Sequence, residues 1–213
     1  MDRVEAVLLC ALLLLLVLLL PRTLRAAAQR APASPRRLLA VFGSGGHTKE
    51  LLSMLAALPA GLVGPRAYVC ADSDSTSLPS ALAAGVLAAG EAPRVHRIAR
   101  AREVGQPALA AAWGTALGFA HALAVVRAEQ PRLLLVNGPG TCIPVCAAAV
   151  LLRGLGLAPP DLIIVFVESV CRVHTLSVSG HAAYWLGLAD LVAVQWQQLT
   201  GKYPGTAYVG LQV

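Results

Sequence analysis

The chain has 213 residues, of which 57% are hydrophobic and 13% charged. That balance excludes an intrinsically disordered protein and leaves enough apolar material for one ordinary domain. The net charge of +6 is not a nucleic-acid signature: Arg22, Arg25, Arg30, Arg36 and Arg37 cluster in one stretch, and from Leu38 onward eleven Lys/Arg meet nine Asp/Glu.

Ala6 to Leu20 is an unbroken apolar run, which Leu24 and Ala26 to Ala28 extend toward the ~20 residues of a membrane span. Arg22 and Arg25 would reach back to the headgroups. Residues 1–25 therefore read as a transmembrane anchor. Ala26-Ala27-Ala28 also fits a signal-peptide cleavage site, but the charge polarity opposes that reading. Asp2 and Glu5 offset Arg3 before the run, and the basic cluster follows it, which predicts a lumenal N-terminus and a cytosolic domain. Residues 26–37 form a basic Pro/Ala/Arg linker.

From Leu38 short β-rich runs alternate with longer helical ones. Strands are expected at Leu38–Phe42, Ala67–Cys70, Val95–Ile98, Leu133–Val136, Leu162–Val167, Leu191–Val194 and Ala207–Val209. Helices are expected at Lys49–Leu58, Leu109–Glu129, Ile143–Leu152 and Val178–Leu188, and residues 72–93 read as a loop around one short helix. Several strands are apolar throughout, the mark of a parallel sheet covered on both faces. The expected fold is α/β, a Rossmann-like doubly wound parallel sheet over residues 38–213. Leu109–Val126 is apolar nearly all round, so it reads as a buried helix or one lying on the bilayer; Trp113, Gly114, Gly118 and His121 weigh against a second span.

Three loops at the carboxyl ends of these strands can carry chemistry. Gly43-Ser44-Gly45-Gly46-His47-Thr48 is a flexible turn leading into a helix, with Thr48 as an expected cap and His47 as an expected base. A plain turn with a structural histidine is the simpler alternative. A dinucleotide site, with Asp72 or Asp74 as the ribose acid, lacks the third glycine because position 48 is Thr. Asn137-Gly138-Pro139-Gly140-Thr141-Cys142 is either a ligand turn, with Thr141 capping the next helix, or a plain βα turn. Glu168 ends a very apolar run, as the ion-pair partner of Arg172 or as an acceptor-contacting carboxylate.

Weaker features take structural readings. The five cysteines (Cys10, Cys70, Cys142, Cys146, Cys171) follow no disulfide framework and are expected to be reduced. Cys142, Cys146, Cys171 and His174 can be drawn as a zinc site, but accidental core thiols are the better account. Trp113, Trp185 and Trp196 read as core or interface.

Taken together, GSGGHT, NGPGTC and FVESVCRV resemble one family. So do YVCADSDS, RVHRIARAREVGQ, LSVSGHAAYWLGLADLVAVQW and KYPGTAYVGLQV, in order from Leu38 to the last residue. The family is the membrane-anchoring subunit of the UDP-N-acetylglucosamine transferase that adds the second GlcNAc in dolichol-linked N-glycan precursor synthesis. More distantly the domain is similar to the acceptor-binding half of GT-B glycosyltransferases, which also carry a Gly-Gly-His turn after the first strand.

The resemblance implies a division of labour. A soluble catalytic subunit binds UDP-GlcNAc, and this chain holds GlcNAc-diphospho-dolichol at the cytosolic face of the endoplasmic reticulum membrane, and of the nuclear envelope. His47 is the implied base or acceptor orienter, and Glu168 a further catalytic candidate. Gly43, Ser44, Gly45, Gly46, Thr48, Asn137, Gly138, Gly140 and Thr141 are implied around the acceptor and its phosphates. Tyr203, Tyr208, Val209, Gly210, Leu211 and Val213 are implied to hold the partner. Tyr208-Val209-Gly210 matches the point where such acceptor halves end, so the donor half is expected on the partner. No cofactor, metal or nucleic acid is expected on this chain, and the preceding enzyme of the dolichol pathway is a further expected partner. The alternatives are a membrane-tethered dinucleotide enzyme and a non-catalytic membrane scaffold.

Overall fold

The computed structural model describes residues 35–59, 61–86, 94–101, 108–138 and 140–212; the expected anchor, and the linker up to residue 34, lie outside them. Seven strands form one sheet: β1 (Arg36–Val41), β2 (Val63–Ala71), β3 (Arg94–Ile98), β4 (Leu133–Asn137), β5 (Ile163–Val167), β6 (Leu191–Val194) and β7 (Ala207–Tyr208). Their order is β3-β2-β1-β4-β5-β6-β7 and every pairing is parallel. The order reverses between β1 and β4, so the carboxyl ends of these two strands flank the crevice where ligands bind in such sheets.

Among the described residues six helices connect them: α1 (Gly46–Ala57), α2 (Ser77–Ala83), α3 (Ala108–Glu129), α4 (Cys142–Gly154), α5 (Val178–Trp185) and α6 (Gln198–Lys202). The continuous apolar strands have helices on both sides. Leu39 and Val41 pack with Phe119 and Val126 of α3 and Val145 and Val150 of α4. Leu38, Ala40 and Phe42 pack on the opposite face with Leu51 and Leu55 of α1 and Ala81 of α2. Alternate side chains of one buried strand thus feed two cores.

The boundaries differ from the sequence pattern where side chains or backbone override it. β1 starts at Arg36, not Leu38. The Arg36 side chain is buried and its guanidinium donates to the Asp161 carbonyl at 2.9 Å. β2 begins four residues early, through an irregular stretch in which Arg36 pairs with Val63 and Leu38 with Arg66. That irregularity accommodates Pro65, which has no N–H to give a ladder. α5 ends at Trp185, before Leu188, because Gly187 takes a left-handed φ of 62°. The five-residue α6 is too short to show a period. No described helix is long and apolar enough to cross a membrane. α3 instead buries Ala116, Phe119, Ala122 and Val126 against the sheet side of the domain.

Candidate functional site

At the carboxyl edge, Gly45 turns the chain from β1 into α1 with a φ of 66°, a conformation glycine adopts without steric cost. The helix starts at Gly46, so His47 and Thr48 belong to its first turn. Thr48 is therefore not the cap; the capping position is Gly45, with no side-chain bond. The Thr48 hydroxyl turns back to the Gly43 carbonyl and lies 2.6 Å from the Ser77 hydroxyl. Ser77 in turn donates to Asp74 at 2.5 Å, and the N–H groups of Thr76 and Ser77 donate to the same carboxylate at 3.0 Å each. Burial alone would raise the Asp74 carboxyl, but the bonds from Ser77 and Thr76 outweigh it and hold it below the usual carboxylate range. Asp74 is thereby committed to the loop, not poised as a ribose acid.

His47 and Glu50 are three residues apart on one face of α1, and both meet Asn137 at the end of β4. Asn137 Nδ2 donates to Glu50 Oε2 at 3.1 Å and to the Val167 carbonyl at 3.3 Å. These acceptors fix the amide, so its Oδ1 faces His47 Nδ1 at 3.1 Å. An amide oxygen cannot donate, so Nδ1 is the nitrogen that carries a proton, and in the neutral form of the ring the lone pair is on Nε2. That is the tautomer a base needs. Gly138, with a φ of 82°, lies against this ring; a Cβ built there would overlap the imidazole.

Glu50 is the centre of a buried polar cluster that the sequence reading missed. It is 5% exposed. Its Oε1 accepts from the Ser169 hydroxyl at 2.8 Å, and its Oε2 accepts from Gln195 Nε2 at 2.8 Å and the Val170 N–H at 3.2 Å as well as from Asn137. Four donors offset the cost of removing a carboxylate from water. Gln195, 1% exposed, also donates to the Glu168 carbonyl at 3.0 Å, and its Oε1 accepts from the Gln212 N–H at 2.7 Å. The available signal was positional: an acid one helical turn after a histidine, on a face otherwise filled by Leu51, Leu52 and Leu55.

Glu168 is placed differently from either expectation. It is fully buried and forms no ion pair with Arg172 among the described residues. Its Oε1 accepts from the Ser169 N–H at 3.0 Å, and its Oε2 from the N–H and hydroxyl of Ser177 at 2.7 and 3.0 Å. Ser177 then caps α5 by accepting from the Gly180 N–H. A Cβ on Gly180 would overlap the Glu168 carboxylate, so a larger residue there would displace the carboxylate from these bonds. Glu168 thus shapes the loop after β5 from inside it.

The turns after β1 and β4 come together. Gly43, Ser44, Gly140 and Thr141 line one small cleft of about 50 Å³ with Phe42, Ala71, Asp74 and Arg100. Gly45 and Gly46 are exposed beside it. Thr141 occupies the capping position of α4 but makes no capping bond, contrary to expectation. A roomier cavity of about 390 Å³, around Arg37, Gln130 and Arg132, lies at the opposite edge of the sheet. The carboxyl edge is the better site because the strand ends and helix N-termini converge there.

The other marked residues separate. Tyr203 is buried with Leu176, Val194 and Leu199, and its hydroxyl lies 2.8 Å from that of Thr175, so it is core, not partner surface. Tyr208, Val209 and Leu211 are exposed around Gly210, whose φ is 72°. Val213 lies outside the described residues. Cys142 and Cys146 are buried thiols, the first pushed up to about 12 by desolvation, and Cys171 is exposed on another loop. Among the described residues no three His, Cys, Asp or Glu gather into a metal-holding group.

A family described as "Oligosaccharide biosynthesis protein Alg14 like" matches residues 38–212. The chain is 41% identical to the UDP-N-acetylglucosamine transferase subunit ALG14 of Rattus norvegicus, over 92% of this chain and 93% of that protein. The like-named proteins of Homo sapiens and Yarrowia lipolytica are 39% and 38% identical, covering 84% and 95% of this chain and 84% and 93% of theirs. Among solved structures, the UDP-GlcNAc 2-epimerase of Neisseria meningitidis bound to UDP-GlcNAc superposes with a TM-score of 0.55 at 13% identity. That of Rickettsia bellii gives 0.51 at 12%. Each covers 83% of this chain, which spans 47% and 45% of their lengths. At those identities the likeness concerns the fold.

Proposed function

This chain belongs to the Alg14-like family of oligosaccharide biosynthesis proteins, and from that premise we propose that it is the membrane-anchoring, acceptor-side subunit of a two-part UDP-GlcNAc transferase. The observation that carries the acceptor-side role is the His47–Asn137 pair at the reversal of the strand order, between two glycine turns. The sheet corresponds to one half of a GT-B enzyme. A soluble catalytic subunit supplies the other half and brings UDP-GlcNAc. The acceptor is GlcNAc-diphospho-dolichol, presented at the cytosolic face of the endoplasmic reticulum membrane, where residues 1–25 anchor the chain.

The acceptor hydroxyl attacks C1 of the donor sugar. As the new C–O bond forms, His47 Nε2 takes the hydroxyl proton. The C1–O bond to UDP breaks with its electron pair passing to the β-phosphate oxygen, and the anomeric centre inverts. Asn137 keeps the imidazole in the tautomer that can accept that proton, and Glu50 keeps Asn137 in the required orientation.

Photo-crosslinking tests the assignment of halves. A photoreactive GlcNAc-diphospho-lipid should label this chain at the turns 43–48 or 138–141, and a photoreactive UDP-GlcNAc should label the partner. The reverse pattern would refute it. A dinucleotide enzyme is disfavoured by the commitment of Asp74 to Ser77 and Thr76. A mere scaffold has no use for the oriented His47.

A further inference from the structure

Arg100 follows β3 and lines the same cleft as Gly43, Ser44, Gly140 and Thr141. Its Nε is buried and has no hydrogen-bond partner among the described residues. A buried donor left unsatisfied is costly, so an Nε with no acceptor among the described residues is available to one that a ligand brings into the cleft. The surroundings fix where the side chain starts. α3 approaches the 99–101 backbone so closely that a Cβ on Gly114 would lie 2.7 Å from the Arg100 carbonyl oxygen, and one on Gly118 2.8 Å from that of Ala99. The Ala99 N–H donates to His121 Nδ1 at 3.2 Å, and the Thr115 hydroxyl donates to the Ala101 carbonyl at 3.1 Å.

The other walls suit an anion. Asp74, the one acid among the described residues that line the cleft, spends its carboxylate on Thr76 and Ser77, and no ion pair joins it to Arg100 among those residues. The Thr141 hydroxyl is not used to cap α4. Glycine turns let a ligand approach the backbone, and a guanidinium offers a planar fork of donors suited to phosphate oxygens. We propose that Arg100 is a ligand for the diphosphate of the lipid-linked acceptor, held between the β1 and β4 turns. This rests on the acceptor-side reading above. The donor nucleotide also carries a diphosphate, so the test must separate the two.

The test uses the full complex of this chain with its soluble partner, with KM measured separately for GlcNAc-diphospho-lipid and UDP-GlcNAc. Arg100→Met should raise the acceptor KM about tenfold or more and leave the donor KM within about twofold. Arg100→Lys keeps the charge but loses the fork, and should raise the acceptor KM by about threefold or more. The preference of the wild type for a diphosphate-linked over a monophosphate-linked acceptor should shrink in both variants, an effect that loosened packing would not produce. An unchanged acceptor KM in either variant, or a rise confined to the donor KM, would overturn the assignment. Should Arg100→Met fail to co-purify with the partner, the Arg100→Lys measurements decide. A wild-type complex that transfers nothing to the lipid would instead refute the parent reading.

Discussion

The side-chain oxygen of Gln195 accepts a hydrogen bond from the backbone N–H of Gln212 at 2.7 Å, tying the C-terminal tail to the polar cluster beneath His47. The same amide donates to Glu50, Glu50 accepts from Asn137, and Asn137 accepts from His47. The exposed apolar residues Tyr208, Val209 and Leu211 sit just before this attachment. Gln195→Ala leaves the Gln212 N–H without its acceptor and removes one donor to Glu50. It should cost about 1–3 kcal/mol of stability. Amide hydrogen exchange at Gln212 should accelerate, and unchanged protection there would contradict the attachment.

His47→Ala should lower kcat of the assembled complex by about 10²–10⁴-fold, the usual contribution of a general base. Asn137→Ala frees the imidazole to take the other tautomer and should lower kcat by less. If the two act as one unit, the double variant should be no worse than His47→Ala alone. Additive losses, measured in complexes that co-purify with the partner, would show that Asn137 does not work through His47.

Gly138→Ala places a methyl group where the imidazole lies and forces a left-handed φ on alanine. The backbone term alone is about 1–2 kcal/mol. Transfer activity should fall at temperatures well below the lowered melting point, because the ring is displaced while the fold persists. A variant that loses stability but retains full kcat would show that His47 does not need its present position.

Asp74 titrates below the usual carboxylate range in the folded chain, with burial opposing and the Ser77 and Thr76 bonds prevailing. A depressed folded pKa contributes stability that is present above the unfolded pKa and is lost as pH falls through the folded one. The wild type should therefore lose the Asp74 contribution to stability as pH falls through the acidic region below the ordinary carboxylate pKa. Asp74→Asn should be less stable at neutral pH and show a shallower acid slope in denaturant melts. Parallel slopes would contradict the assignment.

Much of this arrangement is legible in the sequence. Apolar runs such as Leu38–Phe42 and Leu162–Val167 announce strands buried on both faces, and GSGGHT and NGPGTC mark the two turns that meet in the cleft. The polar network is not legible, because its members are distant in sequence: Glu50 and Gln195 are 145 residues apart, and Glu50 and Ser169 are 119. Glu168 sits at the end of β5 as expected, but whether it faces solvent or a loop depends on Ser177, nine residues on. Thr48 and Thr141 look like caps by composition. The first spends its hydroxyl on Gly43 and Ser77, and the second makes no capping bond.

The most direct measurement is transfer of radiolabelled GlcNAc from UDP-GlcNAc to GlcNAc-diphospho-dolichol by membranes carrying this chain, the soluble partner, or both. Product is expected only when both are present, and is expected to be lost in the complex containing His47→Ala. Product from either protein alone would contradict the division of acceptor and donor between two chains.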